Sequence, residues 1–293
     1  MNNNKSHITL GSDPELSIVE VSSGMVVSAI PLLKNDKHCP AIVEGKNGPM
    51  KIYADNVLVE SAFPPVNSTG GLLKALKEVF QATQNILGKK YKLKPIPAHV
   101  YDASQLKEES AWAIGCNPSY DAYTLQANQP DGFSDGLRTG SFHIHIGSAK
   151  SSEFNSRLNM VKLLDAIVGT SSIILSTDNS SPKRRALYGQ AGEHRPTPYG
   201  VEWRVLDNFA LNSPKLATIL LNLIDHAIFL FENGQEKSIL NKVNENEIRK
   251  AINTSNKDTC ADILSRFSLP KSLIKPVFKN HKTTHFNEAW GIS

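Results

Sequence analysis

Two side chains of opposite charge stand two residues apart in the otherwise apolar run Val201-Glu202-Trp203-Arg204-Val205. Residues i and i+2 of an extended strand share a face, so Glu202 and Arg204 point one way while Val201, Trp203 and Val205 point the other. Upstream, Phe142-His143-Ile144-His145-Ile146 repeats the pattern with two imidazoles opposite three apolar side chains. Near the start of the chain, Gly11-Ser12-Asp13-Pro14-Glu15-Leu16 sets Asp13 and Glu15 two apart, and Glu60 ends the strand-like Val57-Leu58-Val59. Carboxylates converging on one face repel one another and keep protons unless a divalent cation neutralises them. Oxygen-rich ligands with an imidazole suit Mg²⁺ or Mn²⁺, whereas zinc draws more nitrogen or sulfur. An arginine beside such a cation is a fork for phosphate or carboxylate, and the two together are the apparatus of phosphoryl transfer.

The elements that must position these groups read as follows. Strands joined by a turn at Ser22-Ser23-Gly24 cover residues 7 to 33, and a second strand pair turning at Asp55-Asn56 covers 49 to 63, ended by Pro64-Pro65. Apolar spacing predicts a helix over 68–87 stopped by Gly88, and a strand is expected over 94–101. The polar stretch 115–135 reads as a loop, as does 178–198, which is dense in Arg, Gly and Pro. Helices are expected over 152–176 and, opened by Ser213-Pro214 and closed by Gly234, from there to Phe231. Two shorter helical patterns near 245–253 and 258–267 precede a lysine-rich end. Hairpins interrupted by helices point to an α+β class: a curved, mainly antiparallel sheet with helices packed on one face. The division expected is a main domain over 1–235 and a small helical extension over 236–293.

A chain of 293 residues, 40% hydrophobic and 20% charged, is long enough for a large core and is not a disordered composition. A net charge of +4 suits anionic small molecules as well as polyanions and decides nothing about nucleic acid. Cys39, Cys116 and Cys260 have no close spacing, which argues against both a disulfide framework and a thiolate zinc site and favours the reducing cytoplasm. No apolar segment follows Met1 as a secretory signal would require, and Leu216 to Phe231 is short and broken by polar residues, as expected of a core helix rather than a membrane span.

Taken in order, the strings Gly11-Ser12-Asp13-Pro14-Glu15, Val59-Glu60-Ser61-Ala62-Phe63-Pro64-Pro65, Gly115-Cys116-Asn117-Pro118, Arg138-Thr139-Gly140-Ser141-Phe142-His143-Ile144-His145-Ile146-Gly147 and Tyr199-Gly200-Val201-Glu202-Trp203-Arg204 resemble the carboxylate-amine ligases of the glutamine synthetase and glutamate-cysteine ligase superfamily. The likeness spans about residues 7 to 235 and is strongest to phage-type COOH-NH2 ligases of type 2. It implies a glutamine synthetase-like sheet that binds ATP and Mg²⁺, or Mn²⁺, and an amide bond made through an acyl phosphate from small or peptide carboxylate and amine substrates. Carried over, Asp13, Glu15, Glu60, His143 and Glu202 would hold metal. Arg204 would sit on the transferring phosphate, Arg184, Arg185 and Arg195 would be aimed at phosphate or at a substrate carboxylate, and His145, with Arg185 and Arg204, would lie at the nucleotide. Arg138, Tyr188, Glu193 and Tyr199 would meet substrate, although Arg138 could equally cap its strand and the two tyrosines could simply pack. The 178–198 loop would cover the site and exclude water.

One further pair of glutamates in the superfamily pattern has no clear counterpart; Asp121 is the nearest substitute. The resemblance is compatible with a homo-oligomer and with the cytoplasm of a host cell if the chain is phage-encoded. Two rival readings stay open: a guanidino kinase-like phosphotransferase, and a non-catalytic nucleotide-binding or scaffold protein on the same sheet.

Overall fold

The computed structural model describes residues 8–112, 119–128, 136–281 and 285–292. Every strand pairing among them is antiparallel, but the strands form two six-stranded sheets and a separate pair instead of a single curved sheet. The first sheet runs Thr9–Ser12, Ile144–Gly147, Gly200–Trp203, Glu193–Thr197, Ser119–Asp121, Ala127–Asn128. In the second the order is Val26–Val27, Glu15–Glu20, Leu58–Ala62, Gly48–Asp55, Ala41–Gly45, with Tyr91–Lys94 also paired to Glu15–Glu20. Ala98–Val100 pairs with Leu137–Thr139.

The chain changes sheet at Asp13-Pro14. Proline has no N–H for a ladder, and Thr9–Ser12 stays with Ile144–Gly147 while Glu15 starts a strand that pairs with Leu58–Ala62. Both sides of the crossing are tied down: Glu15 N donates to Ser141 O at 3.0 Å, and Ser61 N donates to Pro14 O at 3.2 Å. Asp13 therefore sits at the seam and not on a strand.

The apolar faces expected of the two polar runs are buried together. Phe142, Ile144, Ile146, Val201, Trp203 and Val205 join one core with the helices Thr69–Leu87 and Pro214–Glu232. Each such side chain is worth roughly 1.5–3 kcal/mol when fully buried. Ser68 caps the first helix by accepting from Gly71 N, and Ser213 caps the second by accepting from Leu216 N, with Pro214 in the first turn. The helix Phe154–Leu175 contains a wide turn, Asp165–Gly169. It and Pro214–Glu232 are long and apolar enough to cross a membrane, yet 72% and 61% of their apolar windows are buried inside the protein. After residue 235, Ile248, Ile252, Cys260, Ile263 and Leu264 pack into the same core, and Trp290 Nε1 donates to Leu211 O at 2.7 Å. Cys39 and Cys260 are free thiols.

Several local expectations are corrected. The 178–198 stretch is not a covering loop: Pro182 stands in the first turn of the helix Ser181–Leu187, Gly189 and Gly192 take positive φ, and Glu193–Thr197 is a strand inside the first sheet. The single strand at 94–101 is two strands in different sheets, because Pro95 and Pro97 interrupt pairing. Within 115–135, residues 119–128 form a hairpin; Gly115-Cys116-Asn117-Pro118 and 129–135 lie outside the described residues, as does Lys282 in the lysine-rich end. Ile30–Leu33 is a helical turn, and Ala41–Gly45 adds an edge strand that sequence reasoning missed.

Candidate metal and substrate site

Strand register builds the first half of the site. Gly11, His145, Glu202 and Arg195 are successive partners across four strands, so they form one row on the face opposite the core. Two residues past Gly11 the chain reaches Asp13, whose Oδ1 lies 3.2 Å from His145 Nε2 and 3.3 Å from His143 Nδ1. The other carboxylate near His143 is Glu202, with Oε1 3.6 Å from Nδ1. Glu202 is fully buried. Arg195 forks onto it, Nε donating to Oε2 at 2.7 Å and a second guanidinium nitrogen completing the pair, while Arg204 Nε lies 3.1 Å from Oε1. Tyr199, at the tip of the hairpin between Glu193–Thr197 and Gly200–Trp203, places Oη 2.6 Å from His145 Nδ1 and stacks on that ring.

The second half belongs to the other sheet. Glu15 stands opposite Glu60, and Glu60 opposite Tyr53, so Asp55, two residues on from Tyr53, shares their face. Glu15, Asp55 and Glu60 offer ligand atoms within 4.8 Å of one another, as do Asp13, His145 and Glu202. Tyr53 Oη donates to Glu60 Oε1 at 2.6 Å, and Ser141 N donates to Glu15 Oε2 at 2.8 Å.

Glu15 and Glu60 are disfavoured as anions. Burial, with the charges of Asp55 and Asp13 added, pushes the Glu15 carboxyl up to about 8. Burial, Asp13, Asp55 and Glu15 drive Glu60 well above the carboxylate range as well. Burial acts upward on Asp13 too, but the imidazoles of His143 and His145 outweigh it and hold that carboxyl well below its usual range. Burial lowers His143; it also acts downward on His145, where Asp13 and Glu202 carry the ring the other way. Among the described residues, His143 Nε2 is buried with neither a hydrogen bond nor an ion-pair contact, while Asp13 Oδ1, His145 Nε2 and Glu202 Oε1 meet only the charged neighbours named above. Buried polar atoms are rarely left so. The donor set fits divalent cations: the Glu15, Asp55 and Glu60 group is all oxygen, as Mg²⁺ or Mn²⁺ prefers, and the other group adds nitrogen.

A cavity of about 390 Å³ opens on this seam, lined by Asp13, Glu60, His145, Arg195 and Tyr199, and by Lys37, Tyr53 and Phe63, which the sequence reading did not single out. Asp55 was also missed. It lay in an Asp55-Asn56 pair that reads as a turn, although period-two spacing from Tyr53 across to Glu60 carried the signal.

The remaining candidates divide. Arg184 is fully buried and braces the site from behind, donating to Ser141 Oγ at 2.9 Å and to the carbonyls of Val205 and Arg204 at 3.2 and 3.3 Å. Tyr188 is packed against the guanidinium groups of Arg184 and Arg204 and against His143. Glu193 is buried, held by Gly189 N at 2.8 Å and Asn128 Nδ2 at 2.5 Å, and burial raises its carboxyl. Arg138 is not brought to the site; it is spent on Ala111 O, Leu137 O and Asn56 Oδ1. Arg185 points elsewhere, to Ser255 and Asp207. Asp121 does not supply the missing acid, because its oxygens accept from Tyr123 N and pair with Arg249.

Residues 134–275 match the family model of the phage phiEco32-like COOH.NH2 ligases, type 2, so the similarity of this stretch is to carboxylate-amine ligases. The matched stretch contains His143, His145, Arg195, Glu202 and Arg204. Among solved structures, a bifunctional glutathione synthetase from Pasteurella multocida aligns with 13% identity and a TM-score of 0.45, over 93% of this chain and 48% of that one. The chain thus spans about half the length of that enzyme. No curated protein sequence matches.

Proposed function

We propose that the protein is an ATP- and Mg²⁺-dependent carboxylate-amine ligase with a glutamine synthetase-type site, making an amide through an acyl phosphate. The observation that carries this reading is the placement of Asp13 at the seam between the sheets, beside His143, His145 and Glu202 of the first, with Glu15, Asp55 and Glu60 grouped on the second. The ligase family match over residues 134–275 supports it.

Glu15, Asp55 and Glu60 would hold one cation, and Asp13, His145 and Glu202, with His143 beside them, another. Bound there, Mg²⁺ or Mn²⁺ would supply positive charge for phosphoryl transfer from the triphosphate. The reaction so read has two displacements. A substrate carboxylate oxygen attacks the γ-phosphorus of ATP and ADP leaves; the amine nitrogen then attacks the acyl carbon, inorganic phosphate leaves, and the nitrogen loses a proton.

The chain's own groups divide the remaining work. Arg195 is about a quarter exposed at the cavity and is the arginine free to turn from Glu202 toward a phosphoryl oxygen. Arg204, buried between Glu202 and Tyr188, keeps the cation-holding carboxylate oriented, and Arg184 fixes the strand end that carries it. Tyr199 and Phe63 supply the aromatic part of the cavity wall. The amine and acid partners are small molecules or peptide groups of cavity size.

The test is ADP release with Mg²⁺ or Mn²⁺ across a panel of amino acids, polyamines and simple amines. Amine-dependent ADP with amide product is expected. A stable phosphorylated guanidine without amide would favour a guanidino kinase-like phosphotransferase, and no ADP from any member of the panel would remove the enzyme reading.

A further inference from the structure

Arg184 and Arg185 are neighbours on one helix but serve different places. Arg184 braces the catalytic seam; Arg185 lines a separate depression of about 330 Å³ with Lys257, Ser176, Thr177, Asp178 and Ser255. That depression shares no lining residue with the cavity at Asp13.

Arg185 is only 2% exposed, and its ion pair with the buried Asp207 carboxylate is long. Its Nη1 donates to the neutral hydroxyl of Ser255 at 2.9 Å. The nearest carboxylate oxygen, Asp207 Oδ2, is 3.7 Å away, whereas a charge-assisted bond closes to about 2.7–2.9 Å. Asp207 is also engaged at its other oxygen, which accepts from Phe209 N at 3.0 Å. Arg185 Nε has no hydrogen-bond partner among the described residues. A guanidinium does not shed its proton in proteins, so a buried one whose counter-ion stands off at 3.7 Å gains from a closer anion. Burial pulls its pKa down.

Ser255 takes φ at +53° as the left-handed residue that ends the helix Glu245–Asn253, with Ser255 N donating to Ile252 O and Asn256 N to Ala251 O, and from there its hydroxyl accepts from Arg185. Lys257 lies at the rim with Nζ on Ser176 O. Across the depression, Asp178 has one oxygen occupied by Ser180 N and Oγ.

We propose that this depression is a second ligand site that binds a small anion, a carboxylate or a phosphate group, on Arg185 and Lys257. Asp178 disfavours highly charged ligands and offers a place for an ammonium on the same molecule, so an amino acid is better matched than a bare anion. The site stands apart from the proposed chemistry at Asp13 and does not depend on it.

Titration of the full chain with acetate, L-alanine and inorganic phosphate, followed by calorimetry and amide chemical shifts, tests it. At least one of the three is expected to bind in the millimolar range or tighter, with shifts at Ser176, Thr177 and Ser255. Lys257→Met and Ser255→Ala should weaken that binding by about fivefold or more, and Arg185→Met by more than about tenfold if it folds. Arg195→Met should leave it unchanged. Alanine above acetate, with the difference erased in Asp178→Asn, identifies an amino acid; phosphate above both identifies a phosphate group. The proposal is overturned if none binds at about 50 mM, if binding survives Lys257→Met and Ser255→Ala, or if it is lost in Arg195→Met, which would place the anion in the other cavity.

Discussion

Glu15 lies directly opposite Glu60 in antiparallel register, with Asp55 on the same face. Like charges facing one another across strands are unfavourable, so a cation binding here should stabilise the fold by mass action. Addition of Mg²⁺ or Mn²⁺ to EDTA-treated protein is expected to raise the Tm by several degrees. Glu60→Gln should stabilise the cation-free protein by about 1 kcal/mol and abolish most of the cation-dependent rise. Thermal denaturation with and without metal decides this, and an unchanged metal response in Glu60→Gln would count against the oxygen group as a ligand set.

Arg195 and Arg204 grip the same carboxylate but differ in setting. Arg195→Ala removes a partly exposed partner, so a stability loss of at most about 2 kcal/mol is expected, with turnover falling about 100-fold or more. Arg204→Ala leaves buried Glu202 under-compensated and should cost about 3–5 kcal/mol. Chemical denaturation beside steady-state kinetics separates the two; equal stability losses would contradict the distinction.

Tyr199→Phe keeps the ring that stacks on His145 and deletes the 2.6 Å hydrogen bond to Nδ1. Groups that orient a metal-binding imidazole typically tune affinity by about 10–100-fold. Mn²⁺ titration should therefore show weaker binding with a Tm within a degree or two of the parent's. Parent-like Mn²⁺ affinity would show that the phenol does not position the ring.

Asp165 accepts from Trp203 Nε1, Gly192 N and Tyr123 Oη, yet burial still raises its carboxyl to about 7. A raised folded-state value means the folded form holds the proton more tightly, so this contribution is full below about pH 4 and drains away as pH climbs through about 7. Asp165→Asn has no such loss. It should be less stable than the parent near pH 5, because one donor loses its acceptor, and the gap should narrow by a few kcal/mol at most toward pH 8. Calorimetric scans across that range check it; a gap independent of pH would refute the assignment.

Gly200 has φ at +151°, and a Cβ there would stand 2.2 Å from Ile146 O and 2.6 Å from Ser151 Oγ. Gly200→Ala must push apart the strands that align Glu202 with His145, at a cost of about 2–4 kcal/mol. Loss of cation binding before loss of secondary structure is expected by circular dichroism and Mn²⁺ titration; parent-like stability would mean the strands yield easily.

The face-sharing of His143 with His145, and of Glu202 with Arg204, was legible because period-two spacing is local. So were the helices opened by Ser68 and by Ser213-Pro214, whose caps are written in four residues. Long-range pairing was not. Nothing near Asp13 states that Thr9–Ser12 will join Ile144–Gly147 while Glu15–Glu20 joins Leu58–Ala62. The Arg, Gly and Pro density of 178–198 reads as loop by composition, but Pro182 fits a first helical turn and the positive φ of Gly189 and Gly192 turns the chain into a strand. Once that stretch is ordered, Arg184 and Arg185 are fixed on different partners and cannot act together on one phosphate.

Pro14 alone separates Asp13 from Glu15, so the two ligand clusters are moored to neighbouring links of one chain although they belong to different sheets. Two peptide units reach about 7 Å at most between Cα atoms, and the proline ring stiffens that tether. Slippage of one sheet across the other therefore cannot spread the anchors beyond this span, and inserting a single residue at the crossing would unsettle both clusters together.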